Sequence, residues 1–201
     1  GLYSNVHVMR YDLCIIGGAG HVGLPLGVSF ARKRVKTVLL DINHEWLKMI
    51  GSGKFPFREK NGDEELKKAL KRGFLFTSES PKSVSQSKFV LLVIGTPVDE
   101  YLNPDFNGLN KVVDNYFPYL KNGQILILRS TVYPGTSERI QKYFWDKNKK
   151  VKVVFCPERI AQGKSLEELA KLPISVRCIE PEDYDGENPD LFPPRVAVVK
   201  Y

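Results

Sequence analysis

The sequence predicts an α/β protein: a Rossmann-type, doubly wound and mostly parallel sheet of about six strands, with helices on both faces. Three observations support this fold class. Short apolar runs alternate with amphipathic segments along most of the 201 residues, glycines follow the first apolar run directly, and an aspartate ends the second run. Alternating strands and helices are typical of parallel sheets, because parallel neighbours need a long crossover that is usually a helix.

The predicted strands share short apolar runs, as strands buried on both faces do. They cover residues 11–16, 37–41, 74–77, 89–94, 124–128 and 151–155. The predicted helices share helical spacing of apolar residues or a helix-capping start. They cover residues 21–34, 44–50 after a capping Asn43, 63–72, 109–120, 134–145 and 164–171, and residues 80–87 are predicted as a short polar helix or turn. We expect one NAD-binding domain over 1–176, followed over 177–201 by an atypical proline-rich tail that is not an independent domain and has one strand-like stretch at 195–199.

Composition excludes several classes of protein. A hydrophobic fraction of 42% and a charged fraction of 26% are ordinary for a globular chain. No apolar run approaches the roughly 20 residues that a membrane span needs, and residues 1–10 lack a signal-peptide pattern. The three cysteines are too few and too scattered for a disulfide framework or a zinc site. We therefore expect a cytoplasmic protein without a metal.

The net charge of +7 raises the question of nucleic acid. The basic residues form short clusters at the ends or on the faces of predicted helices, and no basic stretch is interleaved with aromatic residues. Because nucleic-acid-binding sheets combine basic and aromatic side chains, the pattern favours a solvated basic surface that attracts anionic ligands. We expect no nucleic-acid partner.

A glycine motif follows the first predicted strand. Residues 18–23 match G-x-G-x-x-G through Gly18, Gly20 and Gly23, with His21 and Val22 between the last two glycines. In this position the motif is typical of dinucleotide binding, in which the pyrophosphate lies against the N-terminus of the following helix. We assign all five residues to the cofactor and do not treat His21 as a catalytic base. The alternative is an ordinary glycine-rich turn.

Asp41 ends the second predicted strand, at the position of the ribose-binding acid in such folds. A carboxylate at this point accepts hydrogen bonds from ribose hydroxyls and repels a 2′-phosphate. Ile42 and Asn43 follow, so no arginine is present to hold that phosphate. The sequence therefore favours NAD over NADP.

Further polar residues follow the fourth, fifth and sixth predicted strands. Thr96 stands in Gly-Thr-Pro, Thr131 in Ser-Thr-Val-Tyr-Pro-Gly-Thr over 130–136, and Glu158 and Arg159 in Cys-Pro-Glu-Arg-Ile-Ala-Gln-Gly over 156–163. Because ligands lie outside the carboxyl ends of the strands, we expect these residues at one rim. The alternatives are that the Ser-Thr pair caps the next helix and that Glu158 is a surface acid. Cys156 lacks a nearby histidine, which indicates an inert thiol.

These four motifs, in this order, resemble the UDP-glucose/GDP-mannose dehydrogenase family over residues 11–175. Within it, 128–135 and 157–163 are most similar to the UDP-N-acetylmannosamine dehydrogenase branch. The resemblance implies oxidation of the C6 alcohol of a UDP-sugar to a carboxylate by two NAD, as part of polysaccharide biosynthesis. It also implies that Thr96 and Thr131 line the cofactor, that Thr131 and Glu158 serve catalysis, and that Arg159 and Gly163 face the nucleotide sugar.

The sequence departs from the family pattern after about residue 173. The family's Gly-Gly-x-Cys-x-Pro-Lys-Asp segment, which holds the nucleophilic cysteine in a second domain, has no match. We therefore expect that this chain binds NAD, meets its substrate through a second domain that it lacks, and does not complete the oxidation alone. A homodimer stays open. The alternatives are a 3-hydroxyacid dehydrogenase of the 6-phosphogluconate type and a non-catalytic NAD-binding module that pairs with a partner subunit.

Overall fold

The computed structural model describes residues 9–93, 106–129, 135–156, 163–169, 174–178 and 196–199. The strands are β1 (Tyr11–Ile16), β2 (Thr37–Leu40), β3 (Leu75–Ser78), β4 (Ser87–Leu92), β5 (Ile125–Leu128), β6 (Lys152–Phe155), β7 (Ile174–Cys178) and β8 (Val196–Val199). The helices are α1 (Gly23–Arg32), α2 (His44–Gly51), α3 (Gly62–Lys71), α4 (Lys82–Ser85), α5 (Phe106–Tyr116), α6 (Thr136–Asp146) and α7 (Ser165–Leu169), and a 3-10 turn (Phe117–Tyr119) follows α5.

The strands form one sheet in the order β3-β2-β1-β4-β5-β6-β7-β8. Pairings from β3 through β6 are parallel, whereas β7 is antiparallel to β6 and β8 is antiparallel to β7. The six parallel strands confirm the predicted Rossmann-type fold. Chain order reverses at β1, which pairs with both β2 and β4, and such a switch point is where open α/β sheets bind ligands.

Alternate residues of β1 enter two separate cores. Cys14 and Ile16 pack on one face with residues of α5 and α6, whereas Leu13 and Ile15 pack on the other with residues of α1, α2, α3 and α7. Successive side chains of a strand point to opposite faces, so a strand that is apolar throughout needs a cover on both. The described residues therefore confirm helices on both faces of the sheet.

Element boundaries differ from the predicted ones by a few residues. Helix α1 begins at Gly23 instead of residue 21, because His21 and Val22 belong to the turn that precedes it. Helix α6 begins at Thr136 instead of residue 134, since Gly135 has a left-handed φ of 85° that a helix does not accommodate. The predicted helix over 109–120 becomes α5 and the 3-10 turn, which contains Pro118.

The C-terminal part of the sheet was only partly predicted. Strand β7 was not predicted, while β8 falls within the strand-like stretch at 195–199. Strand β7 spans the predicted boundary at residue 176, and both strands extend the same sheet. The division into a domain over 1–176 and a tail over 177–201 stays a prediction.

Candidate cofactor site

The glycine loop leaves β1 at the switch point of the sheet. Its first turn is held by backbone bonds to β2, because the N–H groups of Gly17 and Gly18 donate to the Leu40 carbonyl at 2.9 and 3.1 Å. Gly17 has a φ of 81°, in the left-handed region that favours glycine. The loop is thus anchored directly beside the residue that precedes Asp41.

The three motif glycines have different surroundings. A Cβ at Gly18 would lie 2.7 Å from the Leu39 Cα, and one at Gly23 would lie 2.8 Å from the Gly18 Cα. A Cβ at Gly20 would meet only the Gly17 carbonyl oxygen, at 3.5 Å. Gly18 and Gly23 therefore allow the loop to pack on β2 and on itself, while Gly20 leaves open space on the outer side of the loop.

The N-terminus of α1 has the features of an anion site. It has no side-chain cap and no acidic residue in its first turn. Among the described residues, no hydrogen bond involves the backbone N–H of His21, Val22 or Gly23. Free N–H groups and the positive end of a helix dipole together suit the pyrophosphate of a dinucleotide.

Asp41 lies beside this loop, half-buried. Its Oδ2 accepts from the Ala19 N–H at 2.9 Å, and its Oδ1 accepts from the Asn43 N–H at 3.0 Å. Each carboxylate oxygen retains acceptor capacity beyond one hydrogen bond, so ribose hydroxyls could still donate to it. The same charge would oppose a 2′-phosphate. The structure thus brings Asp41 to the glycine loop, as the sequence predicted.

An aromatic cluster stands next to the loop. The exposed His21 ring stacks on Phe57, with centroids 4.1 Å apart, and meets Trp46 edge-on at 5.8 Å. Phe57 lies in the loop between α2 and α3. The backbone of Phe55 in the same loop is held by a hydrogen bond, because its N–H donates to the Asp63 carboxylate at 2.7 Å. These contacts place the His21 side chain among aromatic rings. Its exclusion from catalysis stays a prediction.

The loop between α2 and α3 also holds the chain around Gly163. The Lys60 N–H donates to the Gly163 carbonyl at 3.3 Å, and the Lys60 Nζ lies 2.6 Å from the Glu167 carboxylate. Glu59 Oε1 accepts from the Leu166 N–H at 3.1 Å, while the buried Oε2 has no partner. Sequence reasoning missed Glu59 and Lys60, because a loop without periodicity gives no signal for contacts about a hundred residues away.

Gly163 is the one predicted substrate-facing residue that the structure describes. Its φ is 87°, and a Cβ there would have no neighbour within 4 Å. Thr96, Thr131, Glu158 and Arg159 lie outside the described residues. Their predicted roles stay predictions.

Two residues at the carboxyl ends of β5 and β6 contact one another. The buried Arg129 donates through Nη1 to the Cys156 Sγ at 3.2 Å. The thiol is 4% exposed. Sequence analysis predicted an inert Cys156 thiol and missed Arg129, because the pairing arises only from the register of two neighbouring strands.

The described residues contain neither a metal-binding cluster nor a membrane-spanning helix. Within the ranges given above, no group of three or more His, Cys, Asp or Glu side chains could hold a metal ion. In the same part of the chain, no helix has the length and apolar character that crossing a membrane requires.

Comparison with known proteins decides the family. The sequence model of the UDP-glucose/GDP-mannose dehydrogenase family, NAD binding domain, matches residues 11–177. The chain belongs to this family. The match covers the glycine loop and Asp41, so NAD is the cofactor of the domain, and the loop geometry fits it.

Individual relatives of the family agree. UDP-N-acetyl-D-mannosamine dehydrogenase of Methanocaldococcus jannaschii is 33% identical over 162 residues, which are 79% of this chain and 37% of the relative. UDP-N-acetyl-D-glucosamine 6-dehydrogenase of Pseudomonas aeruginosa is 36% identical over 121 residues, 60% of this chain and 28% of the relative. The chain thus spans less than half the length of the relatives that it matches.

Solved structures of family members have the same fold. UDP-N-acetyl-mannosamine dehydrogenase of Staphylococcus aureus superposes with a TM-score of 0.74 at 27% identity, over 84% of this chain and 42% of that one. GDP-mannose dehydrogenase of Pseudomonas aeruginosa has a TM-score of 0.77 at 20% identity, over 85% of this chain and 42% of that one, which supports the fold alone.

Proposed function

We propose that this chain is the NAD-binding domain of a nucleotide-sugar 6-dehydrogenase that oxidises the C6 alcohol of a UDP-sugar to a carboxylate with two NAD. The family match over 11–177, together with a glycine loop and an Asp41 that fit NAD, carries the proposal. UDP-N-acetylmannosamine is the first substrate to test, because several relatives bear that sugar in their names.

Bound NAD would supply the acceptor for the hydride of the alcohol carbon. The residues of this chain bind and orient it: the free amides of α1 hold the pyrophosphate, and Asp41 holds the ribose. We assign Thr96 and Thr131 to the cofactor, and Thr131 and Glu158 to the reacting end of the site. Arg159 and Gly163 face the sugar nucleotide in this proposal.

Complete turnover requires groups that this sequence does not supply. A nucleophilic cysteine in a second domain would hold the aldehyde stage, and we propose that this domain also contacts the nucleotide sugar. The isolated chain is therefore expected to bind NAD without producing NADH from a UDP-sugar. NADH production above the level of a Gly20→Val variant would contradict this expectation. Assembly as a homodimer and a cytoplasmic location stay predictions.

The test of the cofactor proposal is calorimetric titration of the purified chain with NAD and then with NADP. Asp41→Ala should weaken NAD binding by roughly 10- to 100-fold, because a charge-assisted hydrogen bond to ribose is lost. NADP should bind the unaltered chain far more weakly than NAD.

Asp12→Ala is the matched control. Asp12 lies in β1, and its carboxylate accepts one backbone N–H, that of Lys36, at 2.8 Å. It lies at the opposite end of the sheet from the glycine loop and should leave NAD affinity unchanged. Equal affinity for NAD and NADP, or no binding of either, would contradict the proposed function.

A further inference from the structure

The loop between α2 and α3 contacts two parts of the chain that the proposed function assigns to different ligands. We call this loop, residues 52–61, the bridging loop, and residues 163–169 the Gly163 segment. Phe57 of the bridging loop stacks on His21 of the glycine loop, with ring centroids 4.1 Å apart. Two and three residues later, Glu59 and Lys60 bond to the Gly163 segment.

Glu59 holds the Gly163 segment through its side chain. Its Oε1 accepts from the Leu166 N–H at 3.1 Å, across a separation of 107 residues in sequence. Within the described part of the chain, its Oε2 is buried without a hydrogen-bond partner. A buried acceptor that lacks a partner lowers stability, so a carboxylate is an unfavourable choice for a contact that only supports the fold. Such local costs are expected mainly at functional sites.

Other contacts support the same attachment. The Lys60 N–H donates to the Gly163 carbonyl at 3.3 Å, and the Lys60 Nζ lies 2.6 Å from the Glu167 carboxylate. Both side chains of this ion pair are well exposed, so the pair contributes little stability. The Leu166 side chain, in contrast, is buried in the same core as Phe55 of the bridging loop. The Gly163 segment is therefore held mainly by the Glu59 bond and by Leu166.

The bridging loop is itself fixed between its two sets of contacts. The Phe55 N–H donates to the Asp63 carboxylate at 2.7 Å, and the Phe55 and Phe57 rings meet edge-on with centroids 5.5 Å apart. Contacts therefore continue from the glycine loop through the Phe57 ring, along the backbone to Glu59, and on to Leu166.

We propose that Glu59 is a positioning residue that orients the Gly163 segment through the Leu166 amide, and that NAD at the glycine loop tightens this hold through Phe57. This role rests on the proposed function, in which Gly163 faces the nucleotide sugar. The His21 N–H belongs to the amides assigned to the pyrophosphate, so bound NAD restricts His21 and the ring stacked on it. Ordering one part of a packed network leaves less entropy to lose in the next, which couples the two without a change of shape.

The first test is hydrogen exchange at the Leu166 amide without NAD, read by mass spectrometry of overlapping peptides. Glu59→Ala should exchange roughly three- to ten-fold faster there than the unaltered chain, because the amide loses its acceptor. Glu59→Gln should restore slow exchange, because its side-chain oxygen still accepts from the Leu166 N–H. An unpaired polar atom remains at the Oε2 position in Glu59→Gln, so the rescue isolates the bond to Leu166.

Glu64→Ala is the matched control. Glu64 is an exposed glutamate of α3 that pairs with Lys68 at 2.6 Å, and its removal should leave exchange at Leu166 unchanged. Peptides of β4 report whether each variant keeps the global fold. If Glu59→Ala also exchanges faster at β4, Glu59→Asp takes its place in the comparison, because its carboxylate is one methylene too short to reach the Leu166 amide.

The second test adds saturating NAD. Exchange at Leu166 should slow by a further factor of roughly two to ten in the unaltered chain, as ordering spreads from the glycine loop. Phe57→Ala should still bind NAD in calorimetry but should lose this further protection, because the stack on His21 is gone. Its NAD affinity should fall by no more than the same factor, since coupling between two sites is reciprocal.

The two tests separate the possible failures. Unchanged exchange in Glu59→Ala, or equally fast exchange in Glu59→Gln, would overturn the positioning role of Glu59. Full NAD-dependent protection in Phe57→Ala would overturn coupling through the bridging loop, since the packing of α7 on α1 would then transmit it. An unaltered chain that does not bind NAD would contradict the proposed function and the coupling, while the Glu59 variants without NAD would still decide the positioning role.

Discussion

Gly18 and Gly20 stand two residues apart in one loop, yet a methyl group would meet different surroundings at each. At Gly18 it would press against the Leu39 Cα and the Ile15 carbonyl oxygen at 2.7 and 2.9 Å. Backbone atoms of two strands cannot move aside without disturbing the sheet. At Gly20 the methyl would project into the space that a pyrophosphate would need.

This contrast predicts a separation of stability from binding. Gly18→Ala should lower the free energy of unfolding by about 1–3 kcal/mol, because overpacking strains the surrounding backbone. Gly20→Ala should leave unfolding nearly unchanged and weaken NAD binding by roughly tenfold or more, since the backbone can no longer approach the phosphates. Urea denaturation and calorimetry measure the two effects.

Gly51→Ala is the control for both measurements. A Cβ at Gly51 would have no neighbour within 4 Å, and the residue is the last of α2. We expect unchanged NAD affinity and unfolding free energy within a few tenths of a kcal/mol, or slightly higher. A loss of stability at Gly20 equal to that at Gly18 would show that the space beside Gly20 is needed for packing.

At the scale of the element, α2 shows how local signals define a helix. Asn43 was predicted as its cap, and the Asn43 Oδ1 accepts from the Trp46 N–H at 3.1 Å. The negative charge of Glu45 in the first turn interacts favourably with the positive end of the helix dipole. Because Asn43 follows Asp41 by two residues, the cap also fixes the chain just after the acid that we propose for the ribose.

Removal of this cap should lower the stability of the folded domain modestly. Asn43→Ala is expected to lower the free energy of unfolding by about 1 kcal/mol. Asn43→Asp should retain most of the stability that the cap contributes, because aspartate also accepts from the first-turn amides. Thermal unfolding of the two variants under one buffer condition measures the difference. Equal losses in both variants would show that the Asn43 amide has a role other than capping.

Other elements depended on contacts that local patterns do not contain. The predicted start of α6 at residue 134 treated the proline as the first helical residue, but the left-handed Gly135 delays the helix by two residues. Strand β7 was missed; its five residues, Ile174–Cys178, lie in the sheet between β6 and β8 and are antiparallel to both. Its strand character comes from pairing with β6 as much as from its own composition.

At the scale of the whole molecule, burial in the sheet changes the chemistry of Cys14. The side chain is fully buried in the core formed by β1, β2 and β4, and burial raises the pKa of the Cys14 thiol to about 12, opposed in part by a hydrogen bond with Ser87. The folded state therefore favours the neutral thiol. This contribution is complete below the thiol's unfolded pKa and is lost as the pH rises through its folded pKa.

The pH dependence of stability should reveal this group. Between about pH 9 and 11 the free energy of unfolding of the unaltered chain should fall, relative to Cys14→Ala, by up to about 1.4 kcal/mol per pH unit. Urea denaturation of both proteins across pH 7–11 measures the difference, because the other titrating groups are common to them. Parallel curves would contradict a pKa that is raised by burial.

The sequence by itself determined the fold class, the glycine loop with Asp41 beside it, and the family, because each depends on residues close together in the chain or on motifs in a fixed order. Tertiary structure alone decided which distant residues meet: Glu59 with Leu166 and Arg129 with Cys156. Strand register brings Arg129 and Cys156 together, and the packing of the α2–α3 loop against α7 brings Glu59 to Leu166. In both pairs the separation in sequence leaves no local pattern to read.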